Sequence, residues 1–102
     1  MSQMDVTEEN GALVFRFEGE LRTDICVPLQ EQVEERLNGL GPDSTTPIVF
    51  DLQEVPYASS LFMRIVLKTV HRVGRERLAI AHANPFVQGL FRTAALQELL
   101  RV

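Results

Sequence analysis

Tryptophan is absent from this chain, tyrosine and cysteine occur once each, and histidine occurs twice. The single cysteine, Cys26, excludes an internal disulfide and leaves no cysteine cluster for a metal. His71 and His82 have no cysteine or second histidine at ligand spacing, so neither begins a metal site or a catalytic dyad. No apolar run nears the roughly 18–20 residues of a membrane-spanning helix. Residues Met1 to Val6 lack the basic and apolar regions of a secretory leader. Basic residues are in deficit, with Lys+Arg 10 against Asp+Glu 14 and a net charge of −4. The electrostatic footprint of a nucleic-acid binder is therefore missing. Spaced glycines of a phosphate-binding loop are missing as well. The carboxylates, such as Glu8-Glu9 and Glu34-Glu35, read as solvated faces. These absences predict a cytoplasmic protein with no cofactor, no metal and no catalytic constellation.

What is present suits one domain over 1–102, with 45% hydrophobic and 24% charged residues. The stretch from Pro47 to Val73 organises the rest. Pro47-Ile48-Val49-Phe50-Asp51-Leu52 is a short apolar run with β-branched and aromatic residues, the pattern of a buried strand. Leu61 to Val73 runs without Gly or Pro, with Phe62, Val66, Val70 and Val73 on one stripe, and Gly74 stands at a C-cap position. Between them lies Ser59-Ser60. The centre of the protein is thus a strand, a loop and a helix with hydroxyls at the helix N-terminus, where a phosphate would be electrostatically favoured.

The remaining elements follow in order. Residues 3–8 carry a faint strand signal, and Glu9-Asn10-Gly11 is a hairpin turn. Leu13, Phe15 and Phe17 alternate with Val14, Arg16 and Glu18, a half-buried strand over 12–18. Thr23 or Asp24 is expected to cap the next helix. Cys26, Leu29, Val33 and Leu37 form its apolar stripe, which makes Cys26 a small core residue. Pro28 fits that helix only in the first turn. The loop 41–47, with Pro42 and Pro47, is the expected mobile segment. Leu78 to Ala81 is a short strand, and Pro85 opens a helix with Phe86, Val87, Leu90 and Phe91 as its apolar face. Ala94 to Leu100 reads as a last short helix ending at Val102. The order β-β-α-β-α-β-α-α implies an α/β sandwich with a partly parallel sheet and right-handed crossovers.

At Ser59-Ser60 the chain resembles the STAS domain, the fold of bacterial anti-sigma-factor antagonists. Gly19-Glu20-Leu21 looks like the ending of the family's second strand. Val49-Phe50-Asp51-Leu52 with Val55 looks like its central strand. Ser59-Ser60 stands where the family carries Asp-Ser-Ser-Gly, and Asn84-Pro85 through Ala94-Ala95-Leu96 looks like its third helix and closing segment. The resemblance implies a mixed four- to five-stranded sheet with three to four helices. It also implies a partner, an anti-sigma factor or serine-kinase-type protein, whose kinase activity modifies one serine and breaks the complex.

Counting without gaps from Asp51-Leu52 places the family's Asp at Ser59 and its modified serine at Ser60, with Ser59 as the alternative. Leu61 and Phe62 stand where the second serine and the glycine would be. Phe62-Met63-Arg64 resembles a family branch with an apolar helix start. Arg22 stands where the family often has Asp. The docking surface implied comprises Glu20, Arg22, Thr23, Asp24, Tyr57, Ala58, Ser59, Ser60, Phe62 and Arg64. A homodimer is left open. Asp24-Ile25-Cys26-Val27-Pro28-Leu29 looks like the helix start of a transporter-associated type. The resemblance therefore also admits a constitutive subunit of a stress-signalling scaffold or a lipid-transport ATPase. Apart from the resemblance, a serine at this joint is explained by helix capping, a stabilisation of about 1 kcal/mol.

Overall fold

Strict alternation from Ala12 to Glu18 requires one sheet face to be buried and the other to stay wet. The computed structural model, which describes residues 3–101, meets that requirement. Met1, Ser2 and Val102, which the single-domain expectation includes, lie outside the described residues. Strands β1 (Met4–Glu9) and β2 (Ala12–Glu18) form a hairpin. Its turn residues Asn10 and Gly11 have φ of 53° and 81°. A two-residue loop with both φ positive matches the right-handed twist of the strands. Then come α1 (Thr23–Asn38), β3 (Ile48–Glu54), α2 (Ser60–Val73), β4 (Leu78–Ala81), α3 (Pro85–Thr93) and β5 (Leu100–Arg101).

The five strands lie in the order β1-β2-β3-β4-β5. Only the first pair is antiparallel; β2, β3, β4 and β5 run parallel. Leu13, Phe15 and Phe17 of β2 join Ile48, Phe50 and Leu52 of β3 in one buried cluster with the inward residues of all three helices. The centre of that cluster is aromatic. Phe17 meets Phe50 edge-on at 5.1 Å and Phe62 at 5.2 Å. Such pairs add about 0.5–1.5 kcal/mol each beyond their area. On the opposite sheet face stand Val14, Arg16, Val49 and Asp51, by the same alternation.

Three expectations change. Neither Thr23 nor Asp24 caps α1: Arg22 occupies the N-cap position and its side chain makes no capping bond. Pro28 lies in the second turn, not the first, and the helix continues through it. The segment after α3 is not a helix. It passes through a 3-10 turn at Gln97–Leu99 into β5, where Leu100 pairs with Ile80. The cause is visible at Ala95, which takes φ 59°. Leu96 N–H reaches back to the Phe91 carbonyl at 2.8 Å, and Ala95 N–H to Arg92 at 3.0 Å. This is a Schellman ending, and it turns the chain away from the helix axis. The 41–47 loop is held at its end by Arg77, which donates to the Thr46 carbonyl at 3.0 and 3.1 Å.

Candidate functional site

Parallel strands deliver their following loops to one end of the sheet, where open α/β sheets gather their sites. Here β2 and β3 end side by side. Gly19 N–H donates to the Glu54 carbonyl, Leu21 N–H to Tyr57, and Ser59 N–H to Leu21, each at 2.9 Å. Leu21 and Ala58 pair as an isolated parallel bridge. Gly19 takes φ +86°, and a Cβ there would stand 3.1 Å from the Gln3 Oε1 atom, so the turn out of β2 favours glycine. Stitched this way, Glu20, Arg22, Thr23 and Asp24 line an open depression together with Tyr57. Arg22 Nε lies 3.7 Å from Asp24 Oδ1.

The two serines behave differently. Ser59 occupies the N-cap position of α2 with extended backbone, yet its hydroxyl makes no capping bond. It is 8% exposed, and its Oγ faces Cys26 Sγ at 3.8 Å. Cys26 in turn donates to the Leu21 carbonyl at 3.5 Å. Burial pushes the Cys26 thiol above its ordinary value, against the opposing pull of Ser59. The capping account of Ser59 is thereby replaced by a buried hydroxyl–thiol contact. Ser60, the first residue of α2, is exposed.

Of the other residues expected on a docking surface, Arg64 is exposed and Tyr57 is 40% exposed. Ala58 and Phe62 are not available to a partner. They are 1% and 0% exposed, because Ala58 sits in the bridge to Leu21 and Phe62 packs on Phe17.

Sequence reasoning assigned Phe86 to the core of α3, and the structure reverses that. Phe86 is 53% exposed and stacks on Tyr57 with centroids 5.8 Å apart and planes at 23°. Spacing alone could not separate it from its buried neighbour Val87. Asn84 brings the two loops together. Its Oδ1 caps α3 by accepting Val87 N–H at 2.8 Å, and its Nδ2 donates to the Val55 and Pro56 carbonyls at 3.3 and 3.2 Å.

A charge network also went unread. On the open sheet face Arg16 binds both Glu9 and Asp51, and His82 Nδ1 lies 3.1 Å from Asp51 Oδ1. Burial would raise the Asp51 carboxyl, but the Gln53 N–H, His82 and Arg16 together hold it below its usual value. Hydrogen bonds from Arg16 and Thr7 bring Glu9 down from 4.5 to about 2. Among the described residues no group of three or more His, Cys, Asp or Glu could hold a metal ion, and no helix is long and apolar enough to cross a membrane.

The family model described as "Mlab, STAS domain" matches residues 4–101. No curated protein matches the chain. Among solved structures, an anti-sigma-factor antagonist (STAS) domain protein from Planctomyces limnophilus superposes with a TM-score of 0.81 at 17% identity, covering 98% of this chain and 87% of that one. The anti-sigma factor antagonist SpoIIAA in its unphosphorylated form gives 0.79 at 14% identity, over 96% and 85%. An anti-sigma factor antagonist from Mycobacterium paratuberculosis gives 0.79 at 18% identity, over 95% and 80%. At these identities the likeness is one of fold.

Proposed function

The chain belongs to the STAS family, and from that premise we propose that it is a docking module of the anti-sigma-factor-antagonist type, switched by phosphorylation of Ser60. Its partner is an anti-sigma factor or serine-kinase-type protein, and it works in a reducing cytoplasm where Cys26 stays a thiol. The observation that carries this reading is the contrast at the joint. Ser60 offers an exposed hydroxyl at the first turn of α2, whereas Ser59 is buried against Cys26. A kinase reaches the first without unfolding the domain and does not reach the second.

A phosphate on Ser60 adds roughly −1.5 to −2 charges at pH 7. It sits at a helix N-terminus, where negative charge is favoured by about 0.3–1 kcal/mol. The fold therefore keeps its shape, while a docking surface that presented a neutral hydroxyl at Ser60 gains negative charge. Binding is lost and helicity is not. Intact-mass and phosphopeptide mapping of the protein from its native cells, beside a Ser60→Ala variant, tests this. A phosphate on Ser60 that disappears in the variant supports the switch; a persistently unmodified protein refutes it.

A second reading has a specific observation in its favour. Ser59 replaces the family's Asp and is buried, and the matching family model carries the Mlab description. A constitutive subunit of a scaffold or a lipid-transport ATPase would need no modifiable serine. It predicts a partner whose binding is indifferent to Ser60→Ala.

A further inference from the structure

Three residues before Ser60 in the chain, Tyr57 forms with Phe86 an exposed aromatic pair that the phosphorylation reading does not use. Tyr57 and Phe86 are large apolar side chains left 40% and 53% exposed, and they are stacked on each other. Aromatic side chains are enriched at protein interfaces, and tyrosine among the residues that carry most of the binding energy. Both rings project from backbone that hydrogen bonds hold in place. Asn84 ties the α3 start to the carbonyls of Val55 and Pro56, and the Leu21 N–H ties the Tyr57 carbonyl to the loop after β2. A preformed surface loses little ordering entropy on binding.

Carboxylates outnumber bases in the depression that Tyr57 lines. Tyr57 shares its open depression with Glu20 and Asp24. The base in the depression, Arg22, is already turned toward Asp24 at 3.7 Å. Aromatic faces bordered by carboxylates attract a cation, and the planar guanidinium stacks on such rings better than an ammonium.

We propose that this shelf receives an arginine-bearing segment of the protein partner. The guanidinium lies between the Tyr57 ring and the Glu20 carboxylate, and an adjacent apolar side chain rests on Phe86. The inference builds on the docking reading above and names the chemistry of what docks.

The test exploits composition. With one tyrosine and no tryptophan, intrinsic fluorescence excited at the tyrosine band reports on Tyr57 alone. The probes are two blocked peptides, Ala-Leu-Arg-Leu-Ala and Ala-Leu-Glu-Leu-Ala, titrated into the full chain. The arginine peptide is expected to give a saturable change in Tyr57 emission. Phe86→Ala and Glu20→Gln each weaken it by roughly three- to tenfold, with far-UV circular dichroism unchanged because both side chains are exposed. No response to the arginine peptide, an equal response to the glutamate peptide, or indifference to Phe86→Ala overturns the proposal. Failure here is separable from failure of the switch. A phosphate on Ser60 without peptide binding removes the shelf alone, and peptide binding with Ser60 never modified removes the switch alone.

Discussion

Phe62 separates a docking role from a core role, and its truncation should unfold much of the protein's stability margin. Its ring is 0% exposed and touches Phe17 at 5.2 Å and Phe50 at 6.3 Å. Replacing a buried phenylalanine by alanine costs about 3–5 kcal/mol in lost transfer energy and residual cavity. A domain of this size has a total stability of about 5–15 kcal/mol. With a urea slope of about 1.5 kcal/mol/M, the midpoint of Phe62→Ala should fall by about 2–3 M. The melting temperature should drop by more than about 10 °C. Far-UV circular dichroism is the suitable probe, since no tryptophan is available. Phe62→Leu leaves a smaller cavity and should cost clearly less than Phe62→Ala. A Phe62→Ala protein with an unmoved midpoint but no partner binding would refute the reasoning and return Phe62 to the surface.

Other outcomes follow from single contacts. Ser59→Ala should cost well under the about 1 kcal/mol of a capping serine, read as a midpoint shift in urea, because the hydroxyl makes no cap bond. Ala95→Gly should stabilise the protein by about 0.5–1 kcal/mol in the same assay, since Ala95 holds φ 59° in a position that favours glycine. Glu9 falls from 4.5 to about 2 in the folded state, so its contribution is complete above pH about 4.5 and is lost as pH falls toward 2. Arg16→Gln removes the cause and should flatten stability between pH 5 and 2, compared by midpoints at each pH.

Much of the fold was legible because its signals were local. Leu13, Phe15 and Phe17 alternate, Pro85 follows a capping Asn84, and Gly74 closes α2 with φ +92°. The end of the chain was not legible. Ala94 to Leu100 has strong helix formers, but the left-handed turn at Ala95 and pairing of Leu100 with Ile80 override that preference. At the candidate site, the loops around Glu20 and Tyr57 were placed together by resemblance and the main-chain bonds explain how. Helical spacing placed Phe62 on the buried stripe of α2 correctly, and only the resemblance put it on the docking surface; Phe86 was misplaced because spacing identifies an apolar stripe without saying where its edge lies. The Arg16–Asp51–His82 network joins residues far apart in sequence, and no local pattern announces it.

The stitch between the segments 19–21 and 54–59 is made by main-chain groups. Backbone bonds do not depend on which side chains their residues carry. Substitutions at Glu20, Arg22 or Tyr57 therefore alter what the surface recognises without moving the frame that presents it. A gene duplicate of this protein could drift to a new partner through a few exchanges at these positions while every hydrogen bond of the frame stayed in register. The same property makes the loop pair a ready scaffold: a library randomised at Glu20, Arg22 and Tyr57, with Gly19 kept, should hold the frame and differ in what it binds.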